Sequence, residues 1–193
     1  MKFTVLTVAG SLLLTGAVAA YAHGGASGII KERMDAMGVM GDVMKSLSAM
    51  MRGEQAYDAD AVRKGAAAIR SHSGEALTKL FPEHSIEGPS EAKPEIWTDW
   101  QAFSDLSDQL GVFATGLEAA ADNGLAHGGG GAGMMGAGSM MSGGGMMGSA
   151  PMMGGAGPMA DPAQLAQMPA DGVFNMVAQT CSACHSRFRV EKK

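Results

Sequence analysis

Residues 169–190 read PADGVFNMVAQTCSACHSRFRV, a stripe of Phe174, Val177, Cys181, Cys184, His185 and Phe188 that closes on Cys-x-x-Cys-His. Spacings of three, four, three, one and three residues place these side chains on one face of a helix. Two thiols three positions apart can each add across a vinyl group of one haem, and the histidine that follows reaches the iron from the same side. Cys181 and Cys184 therefore read as covalent attachment points for haem c, with His185 as the proximal axial ligand.

Cys-x-x-Cys pairs also occur as redox dithiols, half zinc sites and small disulfides. Zinc is disfavoured because the chain has only two cysteines, and His23, His72, His84 and His127 are scattered without ligand spacing. A thioredoxin-like dithiol would open a helix after a strand, and no strand-like run precedes Cys181.

The first residues agree with haem attachment. Met1-Lys2 is a positive start, Val5 to Ala20 is almost wholly apolar, and Ala20-Tyr21-Ala22 has the small-x-small form of a cleavage site. Residues 1–22 are expected to be a signal peptide that takes residues 23–193 to the bacterial periplasm. The apolar run is short of the about 20 residues that a membrane span needs, so no span is expected after cleavage. With 14 basic and 19 acidic residues the chain carries −5 at pH 7. Its basic residues are neither numerous nor clustered, which argues against a nucleic-acid partner. Redox proteins are the partners expected. An enzyme is not, because no nucleophile with its base, paired carboxylates or second metal site can be located.

The periodicity elsewhere is helical. Ile30, Met34, Met37, Met40, Met44, Leu47 and Met51 form one face of a helix over 29–51. A second helix should start near Asp58 or Asp60 and run through Val62, Ala66, Ile69, Ala76 and Leu77 to Leu80, where Pro82 stops it. Residues 81–94, with Pro82, Gly88, Pro89 and Pro94, read as a connection. A third helix opens at Pro94-Glu95, uses Ile96, Trp100, Phe103, Leu106, Leu110, Phe113 and Leu117 as its inner face, and ends around Gly124. Four amphipathic helices without strand alternation predict an all-α protein, an antiparallel four-helix bundle around covalently bound haem c. In that topology Ile30 to Met40 lies opposite His185.

These features together resemble the class II cytochromes c, the cytochrome c-prime family. The resemblance rests on the opening helix with Arg33 and a Met-rich face, on Pro94-Glu95-Ile96-Trp97 with Trp100 and Phe103 following, and on the C-terminal Cys181-x-x-Cys184-His185-x-x-Phe188-Arg189. Family members divide by the residue four after the first-helix arginine: leucine in five-coordinate, gas-binding proteins, methionine in six-coordinate electron carriers. Here that residue is Met37, so the resemblance implies a distal axial ligand. Spacing agrees. Met44 and Met51 lie roughly 10 and 20 Å further along the axis, and Met34 and Met40 are rotated about 60° to either side. The resemblance also puts Arg33 and Arg189 near the haem, and some members of the family form homodimers. The leading expectation is a periplasmic monohaem cytochrome that carries single electrons through a His/Met-ligated iron. The alternative is a five-coordinate cytochrome c-prime that binds nitric oxide or carbon monoxide.

One segment departs from the family. Residues from about 127 to 161, between the third and fourth helices, are mainly glycine, methionine, alanine and serine, with methionine pairs at 134/135, 140/141, 146/147 and 152/153 and a single Met159. Such a composition reads as a disordered insertion without a core of its own. Its thioethers could hold Cu(I) or Ag(I), making copper a second candidate cofactor, or act as an oxidant sink through sulfoxide formation.

Overall fold

The computed structural model describes residues 25–86, 88–126 and 161–191, so the expected signal peptide and the Met-rich insertion lie outside the described residues. Within them the architecture is an all-α, antiparallel four-helix bundle. The long helices are α1 (Gly28–Met51), α2 (Ala59–Ser71), α5 (Trp100–Ala120) and α7 (Ala170–Phe188). Single-turn helices α3 (Glu75–Thr78), α4 (Glu95–Thr98) and α6 (Pro162–Leu165) sit in the connections.

α2, α5 and α7 bury most of the stripe that their spacing dictates, whereas α1 buries Met40 and Leu47 of its expected face together with Arg33, Ala36 and Met50, and leaves Ile30, Met34, Met37, Met44 and Met51 half-buried. Val62, Ala66 and Ile69 of α2 are fully enclosed, as are Leu117 of α5 and Val173 and Val177 of α7. Asp58 caps α2, its carboxylate accepting from the amides of Asp60 and Ala61 at 2.9 and 3.1 Å, which relieves two of the unpaired donors at the helix start. The order of the elements is pinned by contacts between their ends. The hydroxyl of Tyr57, just before α2, donates to Ala121 O at the end of α5 over 2.5 Å. Ala170 N, at the start of α7, donates to Gly124 O over 2.8 Å. α5 packs extensively against both α2 and α7, whereas α1 and α7 meet only sparsely.

The structure departs from expectation in three places. The second helix does not run on to Leu80: it ends at Ser71, and Gly74 takes φ +60° before α3 begins. The break is held by tertiary bonds, since Gly74 N donates to Ser107 O at 3.0 Å and the Ser107 hydroxyl donates back to Gly74 O at 3.1 Å. The third helix is also interrupted, at Asp99 (φ −134°, ψ 51°). That interruption leaves Ile96 and Phe103 inward and Trp100 at the edge, 41% exposed rather than on the inner face. Phe81, read as part of a polar connection, is a core residue. Its ring meets Phe103 at 4.8 Å, and Phe103 in turn meets Phe188 at 5.4 Å, both edge-to-face.

α6 was not foreseen, although Asp161-Pro162 carries a helix start: Asp161 accepts from Ala163 N at 2.9 Å and proline occupies the first turn. Its Leu165 lies on Gly116 of α5, where a Cβ would stand 2.6 Å from Leu165 Cβ. A Gly116→Ala variant should therefore lose about 1–3 kcal/mol of stability despite alanine's better helix propensity, measured by urea unfolding.

Candidate cofactor site

The sparse contact between α1 and α7 coincides with a cavity of about 550 Å³. α1 contributes Ile30, Arg33, Met34, Met37, Gly38, Met40, Gly41 and Met44 to its wall, and α7 contributes Thr180, Cys181, Cys184, His185 and Phe188. α5 adds Phe103, Leu106 and Leu110, and the loop before α4 adds Pro89 to Ala92. The volume and mostly apolar wall are those of a small-molecule site.

The cavity borders two groups of buried side chains. One, around Met40, Leu110, Val173 and Val177, has Cys181 packed on it. The other, around Leu77, Phe81, Ile96, Phe103 and Phe188, has Cys184 packed on it. Met37 touches both. Burial pushes both thiols up, Cys184 to about 11, with Cys181 adding a smaller push, so at neutral pH both carry their protons. His185 is exposed among the lining residues. Its pKa is lowered by partial desolvation and by Arg189, against an opposing pull from Glu91. Both leading causes favour the neutral imidazole, the form that binds metals.

Polar residues gather where α1 approaches the loop. Arg33 is only 5% exposed, and all five of its N–H donors are engaged. Nε and one terminal nitrogen donate to Leu80 O at 3.1 and 2.7 Å; the remaining bonds go to Ser85 O, Ser85 Oγ and Ser90 Oγ at 3.1, 2.7 and 3.1 Å. The guanidinium also lies 3.9 Å from the centre of the Phe81 ring. Burial lowers its pKa, yet an arginine stays charged, and the charge here is compensated by carbonyls and hydroxyls. Beyond Ser90, Glu91 Oε2 accepts from Arg189 Nε at 2.7 Å. Two backbone bonds close the same junction, Lys93 N to Phe188 O at 2.9 Å and Val190 N to Glu91 O at 2.8 Å, around a bridge between Ala92 and Arg189.

Cys181, Cys184, His185, Met37, Arg33 and Arg189 thus all border one cavity, as their sequence pattern suggests. Both arginines also hold the wall together: Arg33 binds a loop with every donor, and Arg189 pairs with Glu91. Sequence reasoning missed Ser85, Ser90 and Glu91. The only signal was serine and acid flanking prolines in a segment that looked like plain connection. An apolar slot with two thiols and an imidazole on one helix, a thioether on another and a polar end fits a flat apolar macrocycle that bears carboxylates, so the residues present suit haem c.

A family model described as Cytochrome C' matches residues 28–135. Cytochrome c' of Rhodopseudomonas palustris is 35% identical over 119 residues, 61% of this chain and 78% of that protein. The solved structure of cytochrome c' from Rhodopseudomonas palustris superposes with a TM-score of 0.58 at 25% identity, covering 87% of this chain and all of that one. A nitric oxide complex of a cytochrome c prime variant from Alcaligenes xylosoxidans gives a TM-score of 0.55 at 20% identity, over 85% of this chain and 94% of that one.

Replacing Arg33 by methionine should cost about 2–4 kcal/mol, because Leu80 O, Ser85 O and two hydroxyls lose a charged donor in a buried setting. Arg33→Lys should recover less than half of that, as an ammonium lacks the planar fork. Urea unfolding measures the loss, and hydrogen exchange should show the amides of 81–86 losing protection first. By its family match, its relatives and its fold, this chain belongs to the cytochrome c' family, the class II c-type cytochromes.

Proposed function

We propose that this protein is a periplasmic monohaem c-type cytochrome that carries single electrons between redox partners and catalyses no reaction of its own. The observation that carries the reading is Met37, a thioether in the α1 wall of the same cavity that receives Cys181, Cys184 and His185 from α7. When bound, haem supplies a one-electron iron couple. Cys181 and Cys184 would hold it through thioethers, each S–H adding across one vinyl group so that sulfur goes to one carbon and hydrogen to the other. His185 would hold the iron as neutral imidazole and Met37 would offer its thioether to it from α1, a ligand type that raises the potential of a haem iron and keeps other ligands away. The apolar residues from both groups of buried side chains keep water away and restrict reorganisation, which favours electron transfer over substrate chemistry.

A second reading is favoured by the comparisons, and they support it better than the first. The family matched is cytochrome c', and a protein of this fold has been solved as a nitric oxide complex. In that reading Met37 only lines the distal side, and the sixth position takes nitric oxide or carbon monoxide.

One set of spectra separates them. Oxidised protein matured with its haem should be low-spin with a sulfur-to-iron charge-transfer band. Met37→Leu should abolish that band, turn the iron high-spin and admit carbon monoxide. A wild type that is already high-spin and binds carbon monoxide establishes the second reading instead. Under either, Cys181→Ala with Cys184→Ala should yield protein without covalent haem on a denaturing gel.

A further inference from the structure

Glycines inside the long helices differ in what surrounds them. A Cβ at Gly65 would meet Leu47 and Val43 at 3.0 Å, and one at Gly116 would meet Leu165 at 2.6 Å, so packing between helices explains both. Gly38 and Gly41 differ. Both lie inside α1, away from its ends, and neither has the positive φ that excludes other residues. A Cβ at either would meet no atom within 4 Å. Nothing in the protein's own packing or backbone accounts for two of the poorest helix formers in one helix, three residues apart.

What the two share is position: both line the cavity, interleaved with Met34, Met37 and Met44. Side chains on an α-helix lean toward its N-terminus, so a residue covers the turn before its own Cα. A side chain at 41 would lie over the turn that carries Met37, and one at 38 over the turn that carries Met34. We infer that Gly38 and Gly41 are positioning residues for the cofactor: they keep the α1 backbone bare beside Met37, so that the macrocycle occupies this stretch of wall and the Met37 thioether is left uncovered. The inference rests on haem filling the cavity and extends the reading of Met37 as a ligand.

Helix propensity and cofactor fit pull in opposite directions here, which makes a test. In the haem-loaded protein Gly38→Ala and Gly41→Ala should each lower the melting temperature. Ser46→Ala, on the exposed side of α1, should leave it level or raise it. Gly41→Leu should weaken or remove the low-spin bands; if it matures poorly, Gly41→Ala alone carries the comparison. Alanine variants that both melt higher than wild type with unchanged spectra would overturn the inference, since that is how ordinary solvent-facing helix glycines behave. A wild type without the low-spin bands removes the ligand reading only, and the melting temperatures still decide whether the glycines serve the macrocycle.

Discussion

The buried guanidinium of Arg33 ties α1 to the loop after α3 with five hydrogen bonds, and through that loop it governs the distance between α1 and α7. Those helices touch too little to set their own spacing. Ser90, which accepts from Arg33, precedes Glu91 and Lys93, whose backbone bonds reach Val190 and Phe188 at the end of α7. One wall of the cavity is thereby fastened to the other through a strap of polar contacts, while α5, packed on α7, lines it with Phe103 and Leu110. A bundle of this size would gain by collapsing into so large an apolar space. Bonds that leave no donor of a buried cation free make such a collapse costly.

Met37 occupies a junction in this packing. The cavity borders two separate groups of buried side chains, each supporting one of the two cysteines, and Met37 bridges them.

The family match and the haem motif are independent of one another. The match spans residues 28–135, ending well before Cys181, and the Met-rich stretch separates the two in the chain. Their agreement is spatial: α1 and α5, within the matched stretch, line a cavity, and α7 brings the cysteines to it.

Much of this was legible in the sequence because helical periodicity is local. The stripes of α1, α5 and α7, the cap at Asp58, and the placing of Met37 and His185 on facing elements all follow from spacing and topology. Where the reading failed, long-range contacts outweighed local preference. The break at Gly74 exists because Ser107, over thirty residues away, supplies bonds that a continuing helix would have made internally. Trp100 left the inner face because Asp99 interrupts the helix and shifts its phase. Arg33 borders the cavity, as its place on α1 suggests, but its five bonds to Leu80, Ser85 and Ser90 could not be read from any local pattern, since a donor set of five is satisfied here by acceptors from distant segments. Residue type and period therefore determined the helical class and the motif that points to haem c, while the tertiary structure alone determined how far apart α1 and α7 stand, because that distance depends on bonds between residues that no local pattern connects.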